Sequence, residues 1–341
     1  MCRPRRTITV TIRLIILLAM TCSINHPVKA VAASLKPVDI KEWQVPWDQT
    51  RPRDPYVDQQ HRVWFVGQSG DYIAVLKSEL GQFHQFKLDS GTGPHNLIVD
   101  KQGQVWYAGN RASHIGKLDP VTGNVTKYPM PDPKATDPHT LIFGKNRDIW
   151  FTVQHGNFVG HLDMDTGQIQ LMPLPTPHAR PYGIVLDNTH SPWFVEFGTH
   201  KLGTIDPDTH TVREFPLSRS EARPRRLGVS SSGVIWYVDY AEGYLGSYNP
   251  KTGHIQEWPV PGGPDARPYA MTIDEQDRVW FVETGSKANR LVGFDIQTRN
   301  VISLTDIPSG GGTVRHMVYH HPTRTIWFGT DTNTIGRALI P

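Results

Sequence analysis

Seven times along this chain a short apolar run gives way to a polar turn and then to a second apolar run built around a tryptophan. The tryptophans are Trp64, Trp106, Trp150, Trp193, Trp236, Trp280 and Trp327, at steps of 42, 44, 43, 43, 44 and 47 residues. Each follows a β-branched residue or Pro192 and precedes Phe or Tyr. Twelve positions earlier stands Pro52, Pro94, Pro138, Pro181, Pro224 or Pro268, with Arg315 breaking the pattern in the last unit. The stretch Asn96-Leu97-Ile98-Val99 followed by Asp100-Lys101-Gln102-Gly103 is representative, and it predicts an inner strand, a tight turn and a second strand. A third strand ends in a Gly-x-Leu/Ile-Asp phrase (116–119, 160–163, 203–206). A turn such as Asp119 to Gly123 then leads to a fourth strand.

A period of about 40–45 residues is that of a four-stranded propeller blade. The seventh unit stops at Pro341 after three strands. The segment Asp39-Ile40-Lys41-Glu42-Trp43-Gln44-Val45-Pro46 matches the fourth strand of the fifth unit, His254-Ile255-Gln256-Glu257-Trp258-Pro259-Val260-Pro261. The N-terminal strand is therefore expected to complete the last blade, a closure that removes exposed sheet edges. The fold class is all-β, a closed seven-bladed β-propeller. Its blades are expected near 51–88, 93–131, 137–175, 180–217, 223–261, 267–307 and 313–340 with 39–46. The repeated tryptophan is read as core between neighbouring blades, and the acidic turns as plain hairpin turns rather than calcium loops.

The N-terminal segment stands apart. Arg3, Arg5 and Arg6 precede an apolar run, Leu14-Ile15-Ile16-Leu17-Leu18, and the small-residue site Ala30-Val31-Ala32 follows. That order reads as a signal peptide over 1–32, leaving a mature chain of 33–341 in the periplasm or secreted. The segment holds five basic residues and no acidic one, so its removal takes the formal charge from +3 to −2. The apparent basicity belongs to the export signal and gives no support to nucleic-acid binding. Cys2 and Cys22 leave with it, so no disulfide is expected. After processing no transmembrane segment remains, and a monomer is expected.

Equivalent positions of the blades form rings about the axis. One residue past each proline position lie Arg53, His95, His139, Tyr182, Arg225, Tyr269 and His316, all long polar or aromatic side chains. A second ring is expected where strand two exits, at Glu196, Asp239 and Glu283 among others. Convergent polar groups in a concavity predict a ligand site at the channel mouth, for a small molecule or cyclic peptide. Arg51, Arg180, Arg223 and Arg267, each before a proline, border the same face. They are expected to pair with Glu196, Asp239 and Glu283, or to steer an anion.

The blade phrases Arg-Pro-Tyr-Gly-Ile (180–184), Arg-Pro-Tyr-Ala-Met (267–271), Trp-Phe-Val-Glu (193–196 and 280–283) and Asn333-Thr334-Ile335-Gly336-Arg337 resemble those of the streptogramin B lyases, the virginiamycin B lyase-like propellers. The resemblance covers almost the whole mature chain. It implies a seven-bladed propeller that opens a cyclic depsipeptide at its ester by elimination, with Mg²⁺ assisting. Such a reaction needs a base for the proton beside a carbonyl, a cation for the enolate-like charge, and an acid for the departing carboxylate. In the family a Pro-His in the sixth blade, an acidic-Pro-His in the seventh and a carboxylate four past the seventh tryptophan do this work. Here those positions hold Tyr269, then Val314 with His316, then Asp331 as the expected metal ligand.

The same order of motifs recurs in blades two and three as Gly93-Pro94-His95 and Asp137-Pro138-His139. A shifted site is therefore expected, with His95 and His139 as acid and base and Asp137 orienting one imidazole. The leading expectation is an exported lyase acting on an ester or lactone. The competing one is a non-catalytic binding propeller that uses the same mouth.

Overall fold

The computed structural model describes Met1 and residues 35–341. The expected export segment, with Cys2, Cys22 and the Ala30-Val31-Ala32 site, lies outside the described residues. Residues 52–87, 94–129, 138–173, 181–216, 224–259 and 268–306 each fold as a four-stranded antiparallel meander, here blades one to six. The seventh blade takes three strands from 317–339 and its fourth from Asp39–Gln44. That N-terminal strand pairs with Thr334–Leu339 from Asp39 opposite Leu339 to Gln44 opposite Thr334. Trp43 stacks on Trp327 with centroids 5.4 Å apart. Asn333 donates its amide to the carbonyls of Val45 and Trp47, at 3.2 and 2.8 Å. The closed seven-bladed propeller expected from the repeat is the observed fold. Among the described residues no helix is long and apolar enough to cross a membrane.

Each repeated tryptophan is buried on a second strand between two blades. Trp64 and Val66, for instance, pack on Leu97, Val99 and Tyr107 of the next blade. A buried indole N–H is costly without an acceptor. Trp64, Trp106, Trp193 and Trp280 donate to the aspartate six residues earlier, Asp58, Asp100, Asp187 and Asp274, at 2.8 to 2.9 Å. The other oxygen of each carboxylate accepts amides of the tight turn, as Asp58 does from Gln60 and Arg62. In five blades the aromatic residue after the tryptophan lies across a glycine of the third strand. A Cβ on Gly116 would sit 2.0 Å from the Tyr107 ring, and one on Gly160 2.1 Å from Phe151. This close approach is the physical reason for the glycine in the third-strand phrase.

Candidate functional site

The inner strands surround the axis, and six of them break register just after their opening residues. The irregularity falls between Arg53 and Tyr56, Pro94 and Leu97, Pro138 and Leu141, Pro181 and Ile184, Pro224 and Arg226, and Pro268 and Met271. A regular strand sends successive side chains to opposite faces, whereas a bulge re-aims them. Two consecutive positions per blade are thereby available to the axis.

The first of these is the expected ring. The His95 and His139 rings lie 3.6 Å apart between centroids, and His139 lies 4.0 Å from Tyr182. The hydroxyls of Tyr182 and Tyr269 are hydrogen-bonded; these residues belong to blades four and six, so the contact spans the mouth. The Arg225 guanidinium sits 4.4 Å from the Tyr269 ring centre and 5.4 Å from that of Tyr182. Arg53, His95, His139, Tyr182 and Tyr269 are buried, while Arg225 and His316 keep partial exposure. The ring is thus a packed polar cap rather than an open cup.

The second position forms a layer that the sequence did not disclose. Arg226 of blade five crosses the axis to Asp54 of blade one at 3.4 Å and donates to Thr140 of blade three at 3.1 Å. Asp54 also accepts from Arg53 at 2.9 Å and from Asn96 at 3.1 Å. Beyond this layer the axis opens into a cavity of about 530 Å³. It is bounded by Asn96, Thr140, Arg226 and His316, and lined further on by Ile142, Val185, Val229 and Ile273.

The charges explain the protonation states. Burial alone would raise the Asp54 carboxyl, but Arg53, His316 and Arg226 outweigh it and hold it well below the usual carboxylate range. Burial pushes His95 and His139 well below the ordinary imidazole value. Arg53 and Arg226 add to the effect on His95, as do the His95 ring and Arg226 on His139. His316 falls to about 3, through burial and then Arg226. All three imidazoles are neutral at pH 7. Tyr182 is raised by burial, yet Arg53, Arg225 and Arg226 prevail and its phenol is lowered; Tyr269 is raised by burial and by Tyr182.

Several expected members lie elsewhere. Asp137 does not orient His95 or His139. It accepts the backbone N–H of His155 at 2.9 Å and its Nδ1 at 2.6 Å, because the loop amides after Val153 lack strand partners. Glu196, Asp239 and Glu283 end second strands opposite Pro181, Pro224 and Pro268. There they serve the loops between blades rather than the mouth. Glu196 accepts from Thr199, Asp239 from the Arg223 amide and the Arg219 guanidinium, and Glu283 from the Gly262 amide. Among the described residues the guanidiniums of the pre-proline arginines do not take up those carboxylates. The Arg223 guanidinium donates to the carbonyls of Ser220 and Ala222, and Arg51 approaches Asp331 at 3.7 Å.

Asp331, the expected magnesium ligand, is ion-paired with Arg315 as well as Arg51. A carboxylate already neutralised by two guanidiniums is a poor ligand for a hard cation. Among the described residues no group of three or more His, Cys, Asp or Glu is arranged to hold a metal. Asp331, so paired, does not fit magnesium.

The sequence profile of the virginiamycin B lyase family matches residues 25–251 and, in a second register, 212–338. A solved streptogramin B lyase is 26% identical with a TM-score of 0.79, over 88% of this chain and 97% of its own. The virginiamycin B lyase of Staphylococcus aureus is 24% identical with a TM-score of 0.80, over 89% of this chain and 99% of its own. A catalytically inactive form of that enzyme, solved with quinupristin, matches to the same extent. No curated protein sequence matches the chain.

Proposed function

This chain belongs to the virginiamycin B lyase family, and from that premise we propose that it is an exported lyase. Its substrate class is a cyclic ester such as a cyclic depsipeptide, opened by elimination at the mouth of the propeller axis. The observation that carries this reading is the His95–His139 pair, in contact at 3.6 Å and held neutral beside Arg53 and Arg226. A neutral imidazole keeps a lone pair open to a proton, though as a weaker base than an ordinary histidine, and fixed positive charge next to it favours an enolate-like transition state.

In the proposed reaction one imidazole removes the proton from the carbon beside a carbonyl. That electron pair becomes the new double bond, the ester C–O bond breaks, and the carboxylate departs with the bonding pair. No water is consumed. The positive charge assigned to magnesium by the family resemblance is supplied here by Arg53 and Arg226. Export is supported by the basic, apolar and small-residue order of 1–32.

The test is mass spectrometry of the purified chain with a cyclic depsipeptide, with and without EDTA. The expected product is linear, unchanged in mass, and formed equally in EDTA. His95→Ala and His139→Ala are expected to lower turnover by about 10²-fold or more. A product heavier by one water overturns elimination, and tight binding without turnover overturns the lyase.

A further inference from the structure

Arg225 differs from its neighbours at the mouth. Arg53 and Arg226 hold Asp54, and Arg315 holds Asp331. Arg225 has no carboxylate within ion-pair distance among the described residues, and its Nε is buried without an acceptor. What fixes it is aromatic. Its guanidinium lies 4.0 Å from the ring centres of both Phe197 and Tyr240, and 4.4 Å from that of Tyr269. Arginine suits such a clamp because its planar charge stacks on ring faces while its N–H edge stays available. Arg225 remains partly exposed, as do Phe197 and Tyr240. A guanidinium held rigid, with its charge unspent and an aromatic wall beside it, is preorganised for an anion carrying an apolar body.

We propose that Arg225 is a carboxylate receptor at the mouth, taking a carboxylate attached to an aromatic or apolar group. The chemistry matches what ester opening generates, since the departing group of an ester elimination is a carboxylate. Two features favour a carboxylate over a phosphate: the fork of one guanidinium matches a planar two-oxygen anion, and the surrounding wall is aromatic rather than polar. The inference rests on the mouth being the binding site proposed above, and does not require turnover.

Isothermal titration in EDTA with N-acetyl-phenylalanine and with its uncharged amide tests it. The acid is expected to bind saturably and the amide about tenfold more weakly or worse. Arg225→Gln is expected to weaken the acid by a similar factor and leave the amide unchanged, with thermal melting confirming that the variant folds. Arg225→Lys, which keeps charge but loses the planar fork, falls between. Benzoate is expected to compete with the acid, and inorganic phosphate not. Equal affinity for acid and amide in the wild-type protein, or acid binding untouched by Arg225→Gln, overturns the receptor. Competition by phosphate as strong as by benzoate overturns its assignment to carboxylates. Turnover of a depsipeptide without acid binding removes this inference alone; acid binding without turnover removes only the lyase.

Discussion

Blade five lacks one component of the repeated tryptophan cradle, and restoring it offers a quantitative test of the fold's logic. The Trp236 Nε1 is buried with no acceptor. Six residues earlier, where four other blades carry aspartate, stands Ser230. The turn itself is the same: the Ser230 amide donates to the Val234 carbonyl at 3.0 Å, as the Asp58 amide does to Arg62. The Ser230 hydroxyl accepts the Val234 amide at 3.2 Å and shares a 2.9 Å hydrogen bond with the Ser232 hydroxyl, but does not reach the indole. In Ser230→Asp one carboxylate oxygen is placed to accept from Trp236 and the other from the amides of Ser232 and Val234. Asp100 and Asp187 do the equivalent without an arginine partner. An unsatisfied buried N–H costs about 1–3 kcal/mol. Proximity to Asp277, which accepts from Ser231, offsets part of that gain. The net expectation is about 1–2 kcal/mol of added stability, or roughly 1.5–3 °C in Tm for a domain of this size. Scanning calorimetry measures it, with Asp274→Ser as the opposite control. A Tm that falls in Ser230→Asp while Asp274→Ser also destabilises would refute the cradle as the determinant.

Two further outcomes follow from the buried charges. Asp54→Asn leaves Arg53 and Arg226 with reduced compensation at the axis and is expected to cost about 3–5 kcal/mol in urea unfolding. Because Asp54 is depressed in the folded state, its contribution is complete above the ordinary carboxylate range and is lost as pH falls below it. A variant within about 1 kcal/mol of wild type at pH 7 would show that the crossing network is not stabilising. Glu196 is raised to about 7, first by burial and then by Glu214 against the opposing Thr199 bond. The folded state therefore keeps a proton that the unfolded chain releases at lower pH, and stability falls as pH rises from about 4.5 toward 7. Glu196→Gln is expected to flatten that slope by up to roughly 2–3 kcal/mol, and an unchanged slope assigns it to other groups.

The repeat made the architecture legible because each blade carries the same indole on its second strand, and five set a third-strand glycine under the aromatic residue that follows it. It also placed Arg53, His95, His139, Tyr182, Arg225, Tyr269 and His316 on one ring. What it hid was the layer beneath. Strand alternation assigns Asp54, Asn96, Thr140 and Arg226 to the opposite face from the ring, and only the register break brings Arg226 of blade five to Asp54 of blade one. The signal was present at position 54, where an aspartate stands inside an otherwise buried strand with φ of 48°. Glu196, Asp239 and Glu283 were misplaced for the converse reason. Their positions suggest a mouth, but loop donors claim them first, the Thr199 hydroxyl for Glu196 and backbone amides for Asp239 and Glu283. The aromatic clamp on Arg225 joins Phe197, Tyr240 and Tyr269 from three blades, a convergence no local motif records.

The strand Asp39–Gln44 leaves the ribosome near the beginning and finds its partner, Thr334–Leu339, only at the end. Until then the circle is a string of blades with two open edges. Drawing ends this far apart into contact costs about 5 kcal/mol of chain entropy, which one ladder, one indole stack and the Asn333 amide must exceed. The clasp makes the two termini a single structural element. Trimming the first strand and trimming the last are the same injury, and either one exposes the edge of the entire ring.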